Sequence, residues 1–175
     1  MADIDEDLHE TVRSIVDELE AAASGLLYRV DGNYVAIDDL GEWKEERYGK
    51  MAEEFRKNHS EDSLDTKEYG SYGEWMEDEI GTVDDIDEPD QVSLSEYIDR
   101  QSLGDVRAEV SLTDRTLVGG RVLFCYGGPN VWVADDGVRG YWGTSRVEMP
   151  LDSETRSALW DWFEEQWDMV KETAA

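Results

Sequence analysis

The stretch VLFCYGGPNVWVADDGVRGYWG, Val122 to Gly143, constrains the fold of this chain more than any other. Apolar and β-branched residues run from Val122 to Tyr126, stop at Gly127-Gly128-Pro129-Asn130, resume at Val131-Trp132-Val133, stop again at Asp135-Asp136-Gly137, and continue from Val138 to Trp142. Strand-like runs punctuated by Gly, Pro, Asn and Asp predict an antiparallel meander. Asp136-Gly137 suits a tight hairpin, and Pro129, which has no N–H to give to a ladder, belongs in a turn or at an edge.

The elements on either side extend this nucleus. Val106, Ala108, Val110 and Leu112 alternate with Arg107, Glu109 and Ser111, the period-two pattern of a half-buried strand. Leu117 to Tyr126 follows, and Arg146 to Met149 supplies a further strand closed by Pro150. Ser93 with Glu96 forms a capping box for a short helix through Tyr97 and Ile98. Asp152 or Ser153 caps a final helix whose apolar face is Leu159, Trp160, Phe163, Trp167 and Val170. The expected fold is α+β: an antiparallel sheet of about four strands covered by helices, with an N-terminal helical and hairpin portion. Trp132, Tyr141 and Trp142 are expected to be structural, against the face of Leu159, Phe163 and Trp167.

Upstream, Ile4, Leu8, Val12, Ile15, Val16 and Leu19 mark an amphipathic helix from Asp3 to Ala23, with Gly25 as its C-cap. Asp31-Gly32-Asn33 joins Leu26–Val30 to Tyr34–Ile37 as a hairpin. A second helix covers Gly41 to Asn58, with Trp43, Arg47/Tyr48, Met51 and Phe55 on one side and Gly49 as a weak point. Three segments follow: 1–60 with helix, hairpin and helix; 61–92, acidic with interspersed aromatics; and 93–175, an α+β unit expected to fold alone.

Charge bounds the function. Against 16 Lys and Arg stand 44 Asp and Glu, for a net charge of −28. Such a field repels phosphates and anionic membranes, which argues against direct nucleic-acid or membrane binding and for a basic partner surface. Seven Trp, eight Tyr and three Phe mark the chain as folded rather than acidic and disordered. Residues 61–90 concentrate the charge, with thirteen acidic residues against Lys67 alone. Within them a short helix from Ser71 to Ile80 carries Tyr72, Trp75 and Met76, and the run Thr82–Asp90 reads as an exposed acidic loop. The expected partner-binding residues are Glu74, Glu77, Asp78, Glu79, Asp84, Asp85, Asp87, Glu88 and Asp90. Asp3, Asp5, Glu6, Asp7, Glu10, Asp17, Glu18 and Glu20 supply a second cluster.

Catalytic signals are thin. His9 and His59 belong to no metal-ligand spacing, and Cys125 stands alone, so neither a disulfide nor a cysteine zinc site forms within the chain. Cys125 reads as a small buried hydrophobe. The acidic clusters lack the EF-hand pattern, and Gly127-Gly128 lacks the spacing and Lys of a phosphate loop. The expectation is a non-enzyme with no cofactor and no metal. An acidic N-terminus and the lack of a long apolar run point to the cytoplasm.

The segment from Ser93 to Leu151, with its GGPN turn and GYWG step, resembles one found in small acidic proteins of bacterial phages and conjugative elements. In those proteins an acidic Leu/Tyr/Ile helix precedes two strands, a GGPN-aromatic turn and a Gly-Tyr-Trp-Gly step. Several carriers resemble anti-restriction or anti-CRISPR cargo. The resemblance implies a DNA mimic acting in a bacterial host cell, whose carboxylates occupy the Lys/Arg surface of a CRISPR effector or restriction enzyme. The alternative is an immunity protein or antitoxin that neutralises a basic toxin. Adaptation to high salt also produces acidic surfaces with Arg in excess of Lys, here eleven to five; the crowding of charge into residues 61–90 favours a localised face.

Overall fold

A computed structural model describes residues 4–60, 64, 68–125 and 128–173. The α+β expectation holds, with two antiparallel sheets. The chain partitions into two compact units, residues 1–36 with 91–175 and residues 37–90, rather than at 60 and 92.

The larger unit is built on a five-stranded meander of order β4-β5-β6-β7-β8. Its strands are β4 (Val106–Val110), β5 (Leu117–Cys125), β6 (Asn130–Ala134), β7 (Gly137–Trp142) and β8 (Ser145–Pro150). Register puts Val122, Val133, Val138 and Met149 in one row on one face. Helix α1 (Ile4–Ala23) covers that face over β7 and β8, and α5 (Ser153–Thr173) covers it over β5. Leu8, Val12, Val16 and Leu19 of α1 share one core with Val122, Val131, Val133, Val138, Leu159 and Phe163. The first helix is therefore part of the sheet's core and not of a separable front, because its apolar stripe is the cover that β7 and β8 require. The approach is close: a Cβ on Gly140 would lie 2.5 Å from Val12 Cγ2 and 2.8 Å from Leu8 Cδ1.

Gly25 closes α1 as expected: its N–H donates to Ala22 C=O at 3.2 Å, and the Leu26 N–H donates to Ala21 C=O at 2.7 Å. A hairpin of β1 (Leu27–Val30) and β2 (Asn33–Ala36) turns at Asp31-Gly32, both at positive φ, as a two-residue loop requires. The second sheet has order β2-β1-β3, β3 being Asp90–Gln91, and the next N–H, of Val92, donates to Leu27 C=O at 2.8 Å. Helix α4 (Leu94–Gln101) is capped by Ser93, whose Oγ accepts from Glu96 N–H, and it buries Leu94, Tyr97 and Ile98.

Three expectations are corrected. Strand β4 is not half-buried: Val106 is 41 % exposed and Leu112, beyond its end, 98 %, because α5 lies over β5 and α1 over β7 and β8. Helix α5 buries Thr155, Leu159, Trp162 and Phe163, whereas Trp160 is half-buried and Val170 exposed, so its inward stripe is turned toward Trp162. Trp132 and Tyr141 pair with Arg139 and Asn130, not with the core row; they lie on the sheet face opposite α1 and α5. Trp142, on the alternate side, does pack against the core.

The smaller unit pairs α2 (Leu40–Asn58), unbroken through Gly49, with α3 (Tyr72–Ile80). Its apolar centre is aromatic. Phe55 stacks on His59 at 4.3 Å and meets Trp75 edge-on at 5.3 Å, and Tyr72 Oη donates to His59 C=O at 2.6 Å. Asp39 caps α2 through Gly41 and Glu42 N–H, and Ser71 caps α3 through Glu74 N–H.

Candidate functional site

In the smaller unit the apolar positions of α3 (Tyr72, Trp75, Met76, Ile80) turn toward its aromatic centre, which forces Glu74, Glu77 and Asp78 outward together at i, i+3 and i+4 spacing. All nine expected partner-binding residues are exposed. They are not equally available. Glu74 Oε2 accepts from Gly70 N–H at 2.7 Å, Asp78 Oδ2 accepts from Tyr69 Oη at 3.0 Å, and Glu88 Oε1 pairs with Lys44 Nζ at 3.2 Å. Asp85 accepts from both the N–H and the hydroxyl of Thr82 at 2.8 Å, closing a 3-10 turn at Val83–Asp85. Those donors hold the Asp85 carboxyl below its usual range, the Thr82 backbone N–H first. The Tyr69 phenol is pushed up to about 12, chiefly by its hydrogen bond to Asp78. Among the described residues the side-chain carboxylates of Glu77, Glu79, Asp84, Asp87 and Asp90 have neither a hydrogen-bond nor an ion-pair partner.

The segment expected to be an acidic loop is partly organised, since Ile86 is buried behind the 3-10 turn and presents Asp84 and Asp87 to solvent on either side. Glu61, Asp62, Asp65 and Lys67 of the same acidic run, like Asp3 of the N-terminal cluster, lie outside the described residues. Residues 37–90 carry twenty Asp and Glu against six Lys and Arg, a net −14; the longer unit also has a net −14, spread over more than twice as many residues.

Two features of the larger unit had no place in the sequence reading. A cleft of about 660 Å³ opens between α1, α4, the β1–β2 turn and the end of β5, lined among others by Glu10, Ser14, Glu18, Tyr34, Tyr97 and Cys125. Tyr97 Oη donates to Glu18 Oε2 at 2.7 Å, and Ser14 Oγ donates to Glu18 Oε1 at 3.0 Å. Burial first, and then Glu18, push the Tyr97 phenol far above its ordinary range, so it remains a donor. Cys125 is half-buried at this cleft rather than fully enclosed. The second feature is the uncovered sheet face, where the guanidiniums of Arg107 and Arg121 lie over Trp132 at 4.7 and 5.0 Å and Arg146 lies over Tyr141 at 5.6 Å. Asp105 and Glu148 pair with these arginines, which hold both carboxyls below their usual range. Reading the polar positions of the strands as a face, and not only the apolar ones as a core, would have found this arrangement.

Among the described residues no group of three His, Cys, Asp or Glu is placed to hold a metal ion, and no helix is long and apolar enough to cross a membrane. The GGPN turn is described only from Gly128 onward. Compared with protein-family models, curated proteins and solved structures, the chain matches none.

Proposed function

We propose that this protein is a non-enzymatic acidic inhibitor that occupies the nucleic-acid-binding surface of a CRISPR effector or restriction enzyme in a bacterial host cell. The observation that carries the reading is the outward face of α3 with the exposed turn that follows it. Its carboxylates Glu74, Glu77 and Asp78 span about 6 Å of axis at 1.5 Å rise per residue, about one per 3 Å, close to the phosphate spacing along one strand of duplex DNA, whereas Glu79 stands on the side of Phe55 and His59. Asp84, Asp87 and Asp90 continue the exposed negative series.

A surface of this kind gains its speed from long-range attraction to a basic groove and little from any single ion pair. Neutralising Asp84, Asp85, Asp87 and Glu88 together as D84N/D85N/D87N/E88Q should therefore slow association with the effector by about tenfold or more at low salt. Its dissociation rate should change less, and the wild-type circular dichroism spectrum should be retained. An association rate equal to wild type places the partner-binding face elsewhere. Affinity purification separates the two classes of partner: an effector complex on the protein supports this reading, and a single small basic toxin supports immunity instead.

A further inference from the structure

We infer that β4 is a homodimerisation edge, at which a second copy of this chain adds its own β4 antiparallel and continues the meander into a ten-stranded sheet. An outer strand carries a row of backbone groups left to solvent that another strand can pair in full, and folds normally cover or blunt such a row. Here the two ends of the sheet differ. Strand β8 lies under α1, whereas β4 is exposed at four of its five residues.

The apolar surface at this end is also unpartnered. Val118 on the neighbouring strand and Leu103 just before β4 are each 57 % exposed, in addition to Val106 and Leu112. These four are most of the seven large apolar side chains exposed among the described residues. A strongly charged protein that gathers four exposed apolar side chains at one bare edge has placed them where burial gains most.

The occupant is specified by the order of charges along the strand. Val106-Arg107-Ala108-Glu109-Val110 reads as its own chemical complement when reversed. An antiparallel pair related by a two-fold axis at Ala108 sets Ala108 beside Ala108, and it sets Arg107 of each copy opposite Glu109 of the second copy. Opposite charges directly across an antiparallel pair stabilise it and like charges destabilise it, so the edge accepts its own copy in this register and disfavours a two-residue slip, which sets Arg107 opposite Arg107 or Glu109 opposite Glu109; a one-residue slip turns the side chains of the second copy to the other face. Arg107 and Glu109 stand on the uncovered sheet face, where Arg107 already lies over Trp132, so the pairing needs no side chain from the core to move. The register shift between Glu109 and Val110 bends the strand out of line, which confines pairing to about the central residues and makes the dimer weak.

This inference is independent of the proposed inhibitor role, and the two have opposite salt dependence. Each copy carries −28, so added salt screens the repulsion between copies and should favour the dimer, while it weakens binding to a basic groove.

The test is sedimentation equilibrium of the full chain from micromolar to submillimolar concentration, in low salt and in about 1 M NaCl, where the screening length falls to about 3 Å. The wild type should shift from its 20.0 kDa monomer toward twice that mass, and more so in high salt. Arg107→Glu alone and Glu109→Arg alone should each weaken the dimer at least tenfold. The double variant R107E/E109R, and an equimolar mixture of the two single variants, should restore it, because both arrangements again set opposite charges across the two-fold axis. Circular dichroism of each single variant separates loss of pairing from loss of fold. A wild type that remains monomeric throughout overturns the inference, as do single reversals that leave the dimer unchanged or a mixture that fails to restore it.

Discussion

The close approach of α1 to β7 can be tested with one methyl group. Gly140→Ala places a Cβ 2.5 Å from Val12 Cγ2 and 2.8 Å from Leu8 Cδ1, against the 3.5 to 4.0 Å at which carbon atoms are in favourable contact. Either the helix lifts from the sheet or two fully buried side chains leave their rotamers, at a cost of about 1–3 kcal/mol. Val12→Ala alone removes two methyl-sized groups from a site with no exposure and should cost about 2–3 kcal/mol. Combined, the two changes should cost less than their sum by about 1 kcal/mol or more, since the alanine at 12 vacates the place that the methyl at 140 takes. Urea denaturation followed by tryptophan fluorescence and far-ultraviolet circular dichroism, with a single transition checked for each variant, measures the three free energies. Additive costs, or a Gly140→Ala variant as stable as wild type, would refute the placement of α1 against β7.

Two further outcomes follow from particular side chains. Trp132→Ala should cost only about 1–2 kcal/mol rather than the 3–5 of a fully buried aromatic, because the ring is half-buried on the open sheet face and loses mainly its contacts with Arg107 and Arg121; chemical denaturation measures it. Asp152→Ala should cost about 1 kcal/mol, since Asp152 Oδ1 accepts from Thr155 N–H at 2.7 Å at the start of α5. That hydrogen bond lowers the folded-state pKa of Asp152, so its contribution is present above the unfolded value of about 3.9 and is lost as pH falls through the lower folded value. The difference between wild type and variant should therefore vanish in strong acid and be constant near neutrality.

What was legible in the sequence depended on how local the cause was. The Gly25 and Ser93 caps, the Asp31-Gly32 turn and the strands on both sides of Asp136-Gly137 are set by residues close in the chain, and they stand where the pattern placed them. Covering relationships are long-range, and there the patterns were ambiguous. An apolar stripe from Leu8 to Leu19 announces a buried face but not which sheet buries it, and the alternation in β4 announces two faces but not whether a helix reaches that far. A large aromatic such as Trp132 suits a place beneath a covering helix, yet strand parity with Arg139 puts it on the other side. The acidic site was legible as composition. Its division into carboxylates engaged with Gly70, Tyr69, Thr82 and Lys44, and others left to solvent, depends on turns that charge counting does not see.

The central claim is that the carboxylates around α3 compete with nucleic acid for one basic surface, and displacement of DNA tests it most directly. A fluorescent duplex is bound to a purified effector, either a CRISPR surveillance complex or a restriction enzyme, and the protein is titrated in while anisotropy is followed. The account predicts that the duplex is released, that more protein is needed when more duplex is present, and that the D84N/D85N/D87N/E88Q variant is the weaker competitor. A duplex that stays bound while the protein also joins the complex would contradict the account.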